Sequence, residues 1–292
     1  MGQNVKRIKK FSADVFNEAQ KHDLADAAAA LSFRSLMAII PTLTFLVIVL
    51  GEVLGRARVL DWFLSFLENT FGTEVLVLEQ AVEGTFVLMS GFVFSSFILF
   101  IAVWSSVSMV HYVRQTFFSI FNLEISSSGL LDETLKSRKL SFLYTILVLF
   151  LILTVILGQG LVSLASAYLS ALFEDLGVFF LFKIVNLVVF STMVLGVFGL
   201  VYWFMSAGTL HLRPILLGSA FSSIMFLIFN TGLSIYASYS FTLGLFGASS
   251  FLVVLLIWIY YSAFTLFVGG VVAYVADKSV KRRRKDERTV YI

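Results

Sequence analysis

Cysteine is absent from the 292 residues, histidine occurs three times, and charged residues make up only 13%. Each scarcity excludes something. Without cysteine there is no disulfide, no zinc ribbon and no thiolate nucleophile. That absence does not name a redox compartment; the fold simply does not depend on one. His22, His111 and His211 are far apart, and none has a metal-type partner three or four residues away. A soluble domain usually carries about 25% charged residues, so half the expected surface charge is missing. An ordinary soluble protein, a disordered chain and a fibrous repeat are excluded. No phosphate-binding Gly-rich loop and no Gly-x-Ser-x-Gly elbow occurs. The net charge of +3 is too small to suggest nucleic acid.

What is present is apolar: 59% of the residues, including 32 Phe. Crossing about 30 Å of hydrocarbon takes roughly 20 apolar residues. Charge-free runs occur at Ser35–Gly51, Gly84–Val113, Leu140–Phe173, Ile184–Leu212 and Pro214–Ala276. The first extends back through Ala27–Phe33 and past Arg34. The last, with 63 residues, is too long for one helix, and its Ser-, Thr- and Gly-rich middle at Tyr236–Gly247 suits a turn. The reading is an all-α polytopic membrane protein with six transmembrane helices. Its parts are an N-terminal amphipathic helix over 1–26, a transmembrane domain over 27–276 and a basic tail over 277–292.

Lys and Arg in short loops set orientation. Seventeen bases fall in the N-terminal segment, the 114–139 loop, at Arg213 and in the tail. Arg56, Arg58 and Lys183 fall opposite, and Arg34 lies within the first span. Both termini are therefore expected in the cytoplasm. A cleaved signal peptide is not expected, because a long charged segment precedes the first apolar run. Gly2 lacks the companion Ser or Thr of a myristoylation signal.

Outside the spans, Val5, Ile8, Phe11, Val15, Phe16 and Ala19 recur at spacings of three and four. This predicts an amphipathic helix over 4–24, lying either on the cytoplasmic membrane face or against the protein's own loops. The external segment 55–83 reads as two more amphipathic helices. Residues 52–83 carry a net charge of −4: solvated faces and topology bias account for it better than a cation-attracting vestibule does. The run Lys281-Arg282-Arg283-Arg284-Lys285 fits an anionic-headgroup patch, a topology anchor, or both.

The order of motifs carries a resemblance. The first span runs from Asp26 through an Ala-rich stretch and Arg34 to Pro41. Arg213-Pro214 opens the fifth. Gly247 precedes the last, which contains Trp258-x-Tyr260 and then Gly269-Gly270. From about Asp26 to Ala276 the chain resembles the YihY/BrkB family of bacterial inner-membrane proteins. The resemblance implies a helical multi-pass protein of the bacterial inner membrane with cytoplasmic termini. It brings no secure activity. The family once bore a ribonuclease label regarded as mistaken, and members have been linked to serum resistance and to transport of lipid or lipopolysaccharide precursors. Members often carry a Glu near the end of the last span, where this chain reads Gly269-Gly270-Val271. No role of that carboxylate carries over.

Intramembrane polar groups are the remaining guide, because lipid penalises them. Arg34 either snorkels to the interface or binds an anionic headgroup in a cavity. Asp26, eight residues earlier, is about 12 Å away along a helix, too far to pair. Gln159, Asn186 and Asn230 sit on three different spans, and interhelical hydrogen bonding is their default role. A shared polar cavity with Arg34 is the sharper alternative. Ser95, Ser96, Ser105, Ser106 and Ser108 are expected to bond their own helix or to allow close packing. Pro41 is expected to kink the first span.

The functional expectation is a non-enzymatic transporter or flippase-like protein moving a lipid or other amphipathic envelope molecule. It would need no metal or cofactor and would have membrane lipids as partners, with a homo-oligomer or envelope partner open. A scaffold of the cell envelope is the alternative. A ribonuclease is disfavoured, because no basic groove or acidic metal cluster is present.

Overall fold

The computed structural model of the protein describes residues 2–55, 61, 92–123, 176–239 and 248–290. Every element among these is helical: α1 (Gly2–Lys21), α2 (Leu24–Leu54), α3 (Phe92–Ile120), α4 (Leu176–Met205), α5 (Leu212–Tyr239) and α6 (Ala248–Val290). Four contain candidate membrane spans, at Ser96–Ile120, Leu187–Met205, Leu212–Leu233 and Val253–Arg282. Large apolar side chains stand exposed along them, among them Phe97, Phe100, Trp104, Leu187, Val188, Ile224 and Ile228. In water such surface would be an aggregation liability; in hydrocarbon it is the natural exterior. The third expected span, Leu140–Phe173, and nearly all of the external segment 55–83 lie outside the described residues.

Helix ends differ from boundaries drawn at the first charge. α3 runs past Val113 to Ile120, because Phe117 and Ile120 are wholly buried and Arg114 lays its guanidinium 4.7 Å from the Phe118 ring. The segment expected as a loop from 114 thus begins as helix. α6 continues past Ala276 to Val290, so the start of the expected tail is part of the same helix. α2 passes through Pro41 without a break.

The turns use residues that tolerate a left-handed backbone. Asp23 (φ 44°) separates α1 from α2, and Asn122 (φ 48°) ends α3. Ala207 (φ 48°) and Gly208 (φ 77°) reverse the chain between α4 and α5. Pro214 sits in the first turn of α5, where its missing N–H forfeits no helical bond.

The chain divides into two compact units. The first comprises Met1–Leu24, Arg114–Leu227 and Thr265–Ile292; the second comprises Ala25–Val113 and Ile228–Phe264. The core of the first is a notch in α6. In a helix the side chains three and four residues on shield each carbonyl. Gly269 and Gly270 have none, so the carbonyls of Thr265 and Leu266 are open. The Tyr202 hydroxyl donates to the Leu266 carbonyl at 2.9 Å and shares a 2.6 Å bond with the Ser222 hydroxyl. Ser222 also reaches the Thr265 carbonyl at 3.2 Å. Gly218 lies against Gly269 and Ala273, and a Cβ there would meet the Gly269 carbonyl oxygen at 2.5 Å. Phe117 closes the notch, its ring over Gly270 and edge-on to Tyr202 and Phe267. α4, α5, α6 and the end of α3 are thus fastened at one place. A Cβ on Gly269 would collide with the Ser222 and Tyr202 oxygens. Gly269→Ala should therefore destabilise by about 1–3 kcal/mol, read as thermal unfolding in detergent. Gly232→Ala, where nothing lies within 4 Å, should be neutral or better.

α1 is tied to the end of α3 by His22, whose Nδ1 lies 3.1 Å from the Ser119 hydroxyl. Its Nε2 is buried without a partner among the described residues. Burial first, and then Lys21, lower the His22 pKa below its ordinary 6.5, against the smaller opposing pull of Glu18 and Asp23. The neutral ring is the form that fits. The contact is therefore complete above the free-histidine pKa and is lost as pH falls through the depressed one. Amide exchange in α1, corrected for intrinsic rates, should rise as pH falls below the ordinary histidine range. Ser119→Ala should raise it at neutral pH.

Candidate functional site

Most hydroxyls on these helices are spent locally. Ser35, Thr42, Ser191, Thr192, Ser219, Ser223 and Ser262 each donate to the carbonyl four residues back. That is how a serine or threonine enters an apolar helix without an interhelical partner. The informative polar groups are those that do something else.

In the second unit, Arg34 on α2 reaches α3. Its Nη1 donates to the Ser108 hydroxyl at 3.3 Å, and its guanidinium carbon lies 4.6 Å from the Tyr112 ring centroid. Ser108 and Tyr112 are one turn apart, so α3 presents both on one face. The long bond and the ring hold the guanidinium in place but do not neutralise it. Among the described residues no carboxylate pairs with Arg34, and Asp26 is exposed two turns earlier. Arg34 as a residue is exposed. A guanidinium has five N–H donors, and the contact with Ser108 occupies one. Such a group can take a phosphate or carboxylate through two parallel bonds.

The other expected site residues are not joined to Arg34 by any contact among the described residues. Asn230 accepts from Trp258 Nε1 at 3.3 Å, linking α5 to α6: this is the interhelical bond expected by default. Tyr260 is half-buried and stacks on Phe264, while Tyr261 stacks on Phe229 with ring centroids 4.0 Å apart. Asn186 is on α4. Gln159 and Gly247 lie outside the described residues.

A second polar cluster, in the first unit, was not foreseen. Asp277 on α6 is only 3% exposed. Its Oδ1 accepts from the His211 backbone N–H at 3.0 Å and from His211 Nδ1 at 2.7 Å. Its Oδ2 accepts from Lys281 at 2.7 Å. Lys281 also donates to the Thr209 carbonyl at 3.2 Å. The carboxylate thereby holds the 206–211 turn, with its two left-handed residues, onto α6. Reading Asp277 as the first residue of a basic tail hid this role. The usable signal was its position one helical turn before Lys281, directly after an unbroken apolar run.

The end of α3 joins the same region, because Asn122 donates to the Tyr274 hydroxyl at 2.6 Å. One end of the first unit thus gathers the ends of α1, α3 and α4, the start of α5 and the later part of α6. Lys21, Arg213, Lys278, Lys281 and Arg282 are all exposed there.

Asp277→Ala would remove the carboxylate that accepts from the His211 backbone N–H and ring, and should cost about 1–3 kcal/mol. It should also open the 206–211 turn to limited proteolysis. Lys281→Met should cost less, because the Lys281 side chain is 55% exposed.

The Virulence factor BrkB family model matches residues 15–290, nearly the whole chain. No curated protein and no solved structure matches it. Long apolar helices, their exposed apolar surface and this match agree: the chain is a membrane protein and belongs to the Virulence factor BrkB family.

Proposed function

We propose that this protein moves an anionic amphipathic molecule, a lipid or lipid-linked envelope precursor, across or along the bacterial inner membrane. The observation that supports this best is Arg34. It is a guanidinium on a long apolar helix, steadied by Ser108 and Tyr112 and without a carboxylate partner among the described residues. A cation at such a place is costly unless something offsets it. An anionic headgroup would complete the donors that Ser108 leaves unused, while its acyl chains remain in the bilayer.

In this reading Arg34 binds a phosphate or carboxylate near one leaflet, and no covalent chemistry is involved. The basic end of the first unit faces the cytoplasm, as the positive-inside rule requires. No ATP-hydrolysing motif is present in the sequence, so the drive is a gradient, a partner or the substrate's own concentration. Asn230 and Trp258 brace α5 against α6 and do not contact the cargo.

The test is translocation of headgroup-labelled lipids in proteoliposomes. Wild type should move phosphatidylglycerol faster than protein-free vesicles do. Arg34→Ala should reduce this at least about tenfold, equivalent to about 1.4 kcal/mol, with unfolding temperature unchanged. Arg34→Lys should retain part of it, because the ammonium keeps the charge but loses the two-pronged geometry. Equal rates for wild type and Arg34→Ala would defeat the proposal.

A further inference from the structure

Beyond that reading, and independent of it, stands the outer face of α1. The apolar stripe of this helix is wider than the surface that covers it. Phe11, Val15, Ala19 and His22 are half-buried, whereas Phe16, at the edge of the same stripe, is 61% exposed. Lys6, Lys9 and Lys10 are exposed as well, and Lys9 is seven residues from Phe16, two turns away on the same side. Glu18 is half-buried beside Lys21, and Asp14 is on the far side from Phe16, one turn from Lys10 and on its face. Residues 2–21 carry five bases and two acids.

A contact at its C-terminal end relates this helix to α3. His22 anchors its C-terminal end to Ser119, one residue before the close of the candidate span Ser96–Ile120. The end of α1 therefore lies beside the end of a helix long and apolar enough to span a membrane. We propose that α1 lies on an anionic bilayer surface, with Phe16 inserted at the headgroup boundary and Lys6 and Lys9 on lipid phosphates. The phosphates complement its positive charge, and the acyl boundary covers the apolar edge that the protein leaves open. Both locations expected for this helix then hold at once: one side rests on the protein and the other on lipid.

The absence of cysteine makes the test clean. Nitroxides are placed on Ser12→Cys, beside Phe16, and Asp14→Cys, on the opposite side, in the full chain reconstituted into vesicles. In phosphatidylglycerol-rich vesicles the ratio of oxygen to water-soluble nickel-reagent collisions should be severalfold higher at position 12 than at position 14. The difference should shrink in pure phosphatidylcholine, and also in phosphatidylglycerol when Lys6→Gln and Lys9→Gln are combined. Phe16→Ser should abolish it. Equal aqueous exposure at the two positions would overturn the proposal. So would position 12 shielded from both reagents, the mark of a protein partner or a second copy. Immersion indifferent to lipid charge would overturn the role of the lysines.

Discussion

Every polar group on these apolar helices must find its partner within the protein, because hydrocarbon supplies none. Many serine and threonine hydroxyls meet this rule inside their own turns, Ser222 meets it across helices, and the Thr265 hydroxyl is buried without a partner among the described residues. Tyr202 cannot use its own turn, because its hydroxyl is too far from its own backbone. It is accommodated only because Gly269 and Gly270 uncover two carbonyls of α6. The notch therefore does two jobs. It satisfies a buried phenol, and it allows α5 to approach α6 closely enough for Gly218 to touch Gly269. Phe117 then fills the space the glycines leave. The position of the α3 end, and through His22 that of α1, depends on this packing.

The same rule separates the two charged clusters. Asp277 is buried but has three donors on its two oxygens, so it acts as a clasp for the 206–211 turn. Among the described residues Arg34 has one long bond and an aromatic face, which position it and leave its charge unmatched. A satisfied charge fits architecture; an unsatisfied, positioned one fits a ligand. That contrast is why the proposed function is built on Arg34 and not on the better-bonded aspartate.

Much of this was legible in the sequence. Helical class, family and the amphipathic first helix follow from hydropathy, motif order and the spacing of Phe11, Val15 and Ala19. Asn230 took the interhelical bond that polar residues in spans take by default. Helix ends were less legible, because charge was used as the boundary. Arg114 and Asp277 both continue a helix, the first by laying its stem and guanidinium along Phe118, the second by finding donors. The Arg34 partners were hidden because Ser108 looked like one serine among several, and Tyr112 only gains meaning when α3 lies beside α2. The Tyr202 notch was hidden for a related reason. Gly269 was visible as a motif, but which hydroxyl it admits depends on how α4 packs against α6.

The most direct test is whether an anionic headgroup occupies the Arg34 site. A phospholipid with a photoreactive group on its phosphate headgroup would be cross-linked to the reconstituted protein and the labelled peptides identified. The account predicts labelling of the segments around Arg34 and Ser108–Tyr112, competed by unlabelled anionic lipid and lost in Arg34→Gln. Labelling there that Arg34→Gln leaves intact, or labelling confined to the basic end of α6, would contradict it.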